Sequence, residues 1–292
     1  MTSADSLEKT RWSLLACPKC HGNLSFLADK AVCEVCNTEV LLQDGVVVAR
    51  ELAAKSYFDD VFEVMQAGNH APGTWDIFYA EQAAAVENII ASDQVVVDIG
   101  CGPELPYAKN GAFVVGVDAS YDSIRSNKVV DLRVFASAAA MPLRDHVADA
   151  IICFYSVHHM TGKTIEENRS IVKQVFQEFS RVLKLSGRLL VFDMSPWFPF
   201  ATAEELVWNP ARKCIGTGLD MFFWKDWQLE RVGLEALPGA KFSVRRFGQS
   251  PLRTFPPIFS KPGLRLPRFM YPFDINLYVW EGREIRLPSR PA

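Results

Sequence analysis

The sequence has no uninterrupted apolar run approaching twenty residues, which argues against a membrane-spanning helix. Its first residues, MTSADSLEKTRWSLLAC, place charges where a secretory leader would need an apolar stretch. A cytosolic chain is therefore expected, with its seven cysteines kept as thiols or metal ligands rather than disulfides. Strong net charge is also missing: the formal value is -3, so bulk electrostatics imply no polyanionic partner. The charge is uneven, however, because residues 241–292 hold ten Lys/Arg against three Asp/Glu. Neither internal repeats nor low-complexity tracts occur. What is there suffices for a large core plus a smaller unit: 292 residues, 49% of them hydrophobic.

The first informative pattern is Cys17-Pro-Lys-Cys20 followed, after twelve intervening residues, by Cys33-Glu-Val-Cys36. Two such knuckles place four thiolates around Zn²⁺, and a closed four-cysteine set is structural rather than catalytic. A segment this short builds little core, so the metal would supply much of its folding free energy. A zinc ribbon over residues 11–50 is expected, with LSFLA and EVLLQDGVVVA as its strands. His21 is surplus to the ligand count, and Cys101, Cys153 and Cys214 are scattered.

Residues 51–92 read as helical: Tyr57, Phe58, Val61, Phe62 and Met65 share one helical face, GNHAPG interrupts, and TWDIFYAEQAAAVENIIA resumes. From Gln94 strands and helices alternate. QVVVDIG, AFVVGVDAS, DLRVFAS, ADAIICFYS and GRLLVFDMS read as strands, with the amphipathic helix KTIEENRSIVKQVFQEFSRVLK before the last. Apolar strands alternating with helices predict a parallel, doubly wound sheet. Residues 200–240 are aromatic-rich and partly helical. AKFSVRRFGQ and INLYVWEG are late strands, separated by a proline-rich stretch longer than an idle loop usually is.

The turn after the first of these strands, VVVDIGCGPELP, resembles a nucleotide cradle without its third glycine. A dinucleotide fingerprint uses that glycine to pack a helix around a pyrophosphate; Leu105 stands there instead. Asp98 before the turn and Glu104 after it favour a ligand with a positive end. Asp118, twenty residues beyond Asp98, suits ribose hydroxyls. A ribose, a cationic amino end and no diphosphate describe S-adenosylmethionine.

VVVDIGCG, VVGVDAS, AAAMPLRDHVADAIICFYSVHHM and FSRVLKLSGRLLVFD, in that order over residues 94–195, resemble class I S-adenosylmethionine-dependent methyltransferases of the type 11 kind. LLACPKCHGNL, CEVC and DGVV are similar to the Trm112-like zinc-ribbon module fused to such enzymes. The resemblance implies an α/β, Rossmann-like, doubly wound seven-stranded sheet with a small N-terminal zinc ribbon. It implies that Gly100, Cys101 and Gly102 admit the methionine part of the cofactor, that Asp98 orients its amino group, and that Asp118 and Ala119 meet the ribose. Ser137, Ala138 and Met141 would line the adenine pocket, with Phe154 and Tyr155 beneath the cofactor facing substrate. Structural Zn²⁺ on Cys17, Cys20, Cys33 and Cys36 completes the cofactor set. Glu104 would bind the amino group or cap a short helix beginning at Pro106.

His158 and His159 in SVHHM are the candidate bases, at the carboxyl edge of the sheet. Tyr57 and His70 fall in a segment expected to lid the cofactor. Trp197, Phe198, Phe200, Trp224 and Trp227 are either a substrate wall or ordinary core. The expected organisation is a ribbon at 1–50, a helical lid or linker at 51–93, and a methyltransferase domain at 94–292 with cap insertions at 196–240 and 250–274. The leading expectation is methylation of a small molecule. The alternative is a ribosomal RNA base methyltransferase, for which Arg245, Arg246, Arg253, Lys261, Arg265 and Arg268 would meet phosphates. A third class is a cofactor-binding adaptor.

Overall fold

The computed structural model describes residues 11–49, 75–216, 219–248, 254–255 and 266–282. The chain opens with β1 (Leu24–Phe26), β2 (Lys30–Cys33), β3 (Glu39–Gln43) and β4 (Val46–Val48), an antiparallel meander. Helix α1 (Trp75–Glu87) leads into β5 (Val95–Ile99), β6 (Phe113–Asp118), α2 (Tyr121–Ser126), β7 (Leu132–Phe135) and β8 (Ala148–Phe154). Then come α3 (Ile165–Val182), β9 (Leu183–Pro196), α4 (Phe198–Ile215), α5 (Asp226–Ala236) and β10 (Lys241–Phe247). β11 (Thr254–Phe255) and β12 (Leu266–Pro267) form a separate two-residue ladder, and β13 (Phe273–Glu281) closes the order.

The main sheet has the order β1-β2-β3-β4-β7-β6-β5-β8-β9-β13-β10. Its centre, β4 to β9, is parallel, whereas β13 is antiparallel to both β9 and β10. Among the described residues, the expected seven-stranded sheet beside a separate ribbon is thus one mixed sheet of eleven strands. The reason is backbone pairing: Val46, Val47 and Val48 lie opposite Arg133, Val134 and Phe135, so the ribbon's last strand continues the parallel ladder.

Strand composition explains the burial. Val96 faces one core and Val97 the other, because successive side chains alternate across a sheet buried on both faces. Helix α3 covers one face with Val172, Val175, Phe176, Phe179 and Val182, all buried. The Thr164 hydroxyl accepts from the Glu167 N–H at its start. Buried Glu178 accepts from the Met141 N–H at 2.8 Å and pairs with Arg181 at 2.6 Å, fixing the loop after β7 against this helix. The opposite face is covered by Ala85, Val86 and Ile90 around the end of α1 and by Ile124 of α2.

Two expectations change or fall away. No helix starts at Pro106; residues 103–110 are turn and coil, and Tyr107 is drawn inward to bond Asp98. The helix expected around Tyr57 to Met65, together with His70, Arg253, Lys261 and Arg265, lies outside the described residues.

Candidate active site and metal cluster

The carboxyl ends of β5, β6 and β8 bring the sequence candidates together. Gly100 (φ +66) and Gly102 (φ +59) adopt the left-handed conformation that glycine takes without strain. A Cβ on Gly100 would collide with the Ser156 hydroxyl, whereas a Cβ on Gly102 would meet nothing within 4 Å. Gly102 therefore borders open space, and its backbone is held from both sides. Its N–H donates to Asp118 Oδ2 at 2.9 Å, and its carbonyl accepts from Asn127 Nδ2 at 2.9 Å. Asp118 Oδ1 accepts from the Ser120 N–H at 2.8 Å. The ribose candidate is thus also a brace for the glycine turn.

Asp98 is buried, and its Oδ2 accepts from the Tyr107 hydroxyl at 2.5 Å. Its Oδ1 has no hydrogen-bond partner among the described residues. Burial pushes its pKa up to about 7; the Tyr107 bond works against this, and the Asp118 charge adds to it. A buried carboxylate oxygen awaiting a donor, beside open space over Gly102, fits a ligand with a cationic amino end. Glu104 is exposed.

Phe154 stacks on Phe192 at 4.1 Å and on Tyr107 at 5.9 Å. Tyr155 has φ +47, costly for a bulky residue and typical of functional edges. Its hydroxyl donates to Gln82 Oε1 of α1 at 2.9 Å. Ala119 and Ala138 are half-buried, and Ser137 accepts from the Ala139 N–H at 3.2 Å. Cys101 is buried and packs below Gly116. Met141 is buried with the α3 core rather than at an open surface.

The two histidines differ. His158 is buried, and its Nδ1 lies 2.6 Å from Asp193 Oδ1. The His158 backbone N–H donates to Asp193 Oδ2 at 3.1 Å, so the same carboxylate grips both ring and backbone. His159 Nδ1 lies 3.2 Å from Asp220 Oδ2. Burial, then the neighbouring His158, lowers the His159 pKa and favours its neutral form.

Residues 219–224 cross over these histidines. The Phe222 N–H donates to the His158 carbonyl at 2.8 Å, and the Phe223 ring stands 5.2 Å from His158 and 4.5 Å from Phe273. Glu204 Oε1 on α4 accepts from the Phe223 N–H at 3.1 Å. Its Oε2 has no partner among the described residues, and burial raises its pKa to about 7. Of the aromatic candidates, Trp224 is core, Trp197 is half-buried, and Phe198, Phe200 and Trp227 are exposed. The ring over His158 belongs to Phe223, which sequence reasoning missed along with Asp193, Glu204 and Asp220. Only Asp193 carried a signal, as the acid ending VVFD-like strand GRLLVFD.

At the other end of the sheet the Sγ atoms of Cys17, Cys20, Cys33 and Cys36 all lie within 4.8 Å of one another. Backbone N–H groups of Lys19 and Val35 point to Cys17 and Cys33 sulfurs at 3.4 Å. Four converging sulfurs, two with amide support, form a cluster compatible with a tetrahedral metal site.

Residues 97–191 match the methyltransferase domain family. No curated protein matches the chain by sequence. Among solved structures, the [4+2]-cyclase SpnF is 15% identical with a TM-score of 0.56, covering 77% of this chain and 93% of that one. The Haemonchus contortus phosphoethanolamine N-methyltransferase 2 in complex with S-adenosyl-L-methionine is 13% identical with a TM-score of 0.52, covering 80% of this chain and 61% of that one. A chain from the complex between the Haloferax volcanii Trm112 methyltransferase activator and the putative methyltransferase is 14% identical with a TM-score of 0.50, covering 80% and 100%. At these identities the structural likenesses speak for the fold. The match over residues 97–191 adds the domain, and the chain is an S-adenosylmethionine-dependent methyltransferase.

Proposed function

We propose that this enzyme methylates a small molecule held between the carboxyl edge of β8 and the cap formed by α4 and residues 219–224. The observation that carries this reading is the placement of Phe223 over His158. Such a roof suits a compact acceptor better than a nucleic acid surface. S-adenosylmethionine, when bound, supplies an electrophilic methyl group. Asp98, Gly100, Gly102 and Asp118 would hold it. With His158 Nδ1 donating to Asp193 Oδ1, the ring's Nε2 would be the acceptor for a substrate proton. His159, favoured as neutral, is a second acceptor. Tyr155 and Phe154 shape the floor. Zn²⁺ on the four cysteines would be structural.

Methylation of an RNA base is the second reading. Its support is the exposed basic side of β10, where Lys241, Arg245 and Arg246 lie on the surface. Arg246 already pairs with Asp226 at 3.5 Å, and Arg245 lies over the Phe247 ring. Labelled cofactor offered with a panel of metabolites and with ribosomal RNA tests both readings. Transfer to a metabolite supports the first; transfer to RNA alone overturns it.

A further inference from the structure

A cavity of about 300 Å³ lies where the four-cysteine segment meets the parallel sheet, between β3–β4 and the stretch from Asn127 to Arg133. It is at the small end of the range for ligand sites. It sits beside the starts of β4 and β7. Leu132 pairs with Val115, three residues before Asp118, so roughly 10 Å of strand separates this level from the cofactor candidates.

Three cations line the cavity: Arg11, Lys128 and Arg133. Its one acid, Asp131, is already engaged. Oδ1 accepts from Lys109 at 2.7 Å and Oδ2 from the Val114 N–H at 2.8 Å. Lys128 Nζ and Arg133 Nη1 instead share a single neutral acceptor, the Arg125 carbonyl, at 3.3 and 3.1 Å. No carboxylate among the described residues pairs with Arg11, Lys128 or Arg133. Gly45 makes room for this arrangement, since a Cβ there would stand 2.6 Å from Arg133 Nη2. Trp12 supplies an aromatic wall. Like charges gathered in one recess, with its one acid already engaged and no other carboxylate among the described residues to pair with them, lack only an anion with several acceptor oxygens.

We propose that this recess binds the phosphate group of a small phosphorylated metabolite, at a site separate from methyl transfer. Arg133 offers a planar fork, Lys128 a point charge, and Arg11 a third positive charge. Asn127 lines the same recess and donates to the Gly102 carbonyl, so one side chain joins this site to the cofactor turn. The inference rests on the cavity and does not depend on the identity of the methyl acceptor.

The test titrates the full chain with inorganic phosphate and with ribose 5-phosphate, in low-salt buffer free of other polyvalent anions, by calorimetry and thermal melting. The expected result is saturable binding that raises the melting temperature. Arg133→Gln and Lys128→Gln should each weaken binding by about tenfold. Neither should lower the anion-free melting temperature or alter affinity for S-adenosylhomocysteine. Equal affinity for both probes points to free phosphate as the ligand, and tighter ribose 5-phosphate to a phosphomonoester; either supports the site. Absence of saturable binding by either probe, or unchanged binding in the folded double variant, overturns it.

Discussion

His158 and Asp193 meet at 2.6 Å inside the protein, each almost fully buried, with the aspartate also receiving the histidine's own backbone N–H. That double grip sets the position of the ring. Asp193→Asn keeps the shape and removes the charge. It should lower kcat by ~10²-fold or more, with the acidic limb of the pH–rate profile displaced and S-adenosylhomocysteine affinity changed less than about threefold. Steady-state kinetics across pH on the identified acceptor checks this. An unchanged profile would remove His158 from proton transfer.

Asp98 links ligand binding to pH. Its folded pKa of about 7 exceeds the ordinary aspartate value of 3.8, so between those values the ligand-free protein holds a proton that the unfolded chain has released. Its contribution therefore makes stability fall as pH rises from about 4 to about 7, then level off. A cationic ligand end prefers the ionised form, so cofactor affinity should climb through pH 6 to 8. In Asp98→Asn the climb should vanish and affinity should drop. Calorimetric titration with S-adenosylmethionine at four pH values reads both; a pH-independent wild type contradicts the assignment.

The two turn glycines should separate by their surroundings. Gly100→Ala collides with Ser156 in a left-handed backbone and should cost about 1–3 kcal/mol or more of stability. Gly102→Ala carries a similar backbone penalty but no collision, and its methyl enters the open space. It should keep a melting temperature closer to wild type while losing cofactor affinity by at least about tenfold. Melting curves with and without S-adenosylhomocysteine distinguish the pair, and equal loss of ligand binding at equal stability would count against the cradle.

The cysteine cluster should hold one zinc ion per chain by elemental analysis, and Cys20→Ala, at an exposed ligand position, should lose it. Chelation should lower the melting temperature, because metal binding and folding of so small a segment are the same free energy. Purified protein without zinc but with unaltered stability would refute a structural metal here.

Residue patterns carried some of this further than others. VVVDIGCG announced its own strand and turn because the chemistry is local: an apolar run, an acid, two glycines. CxxC twice over announced the cluster for the same reason. Pro106 misled, since a proline is only permissive of a helix start, whereas Tyr107 gains a buried bond to Asp98 by abandoning one. β4 reads as three valines and says nothing of its neighbour; pairing with β7 joins Val46 to Arg133, 87 residues further along the chain. Phe223 and Glu204 were invisible for a related reason. Their meaning lies in what α4 and residues 219–224 fold over, and aromatic spacing alone does not tell a roof over a histidine from ordinary core.

The valine triplet of β4 has a consequence for the chain's life in solution. It is the cover on β7: without it, Leu132 to Phe135 would present bare amide and carbonyl groups along an edge strand. Such a border recruits other chains. Because β4 belongs to the meander gathered by the four sulfurs, whatever disperses those sulfurs also uncovers the border. Loss of the metal should therefore show first as clumping of an otherwise intact methyltransferase domain, well before the domain itself melts.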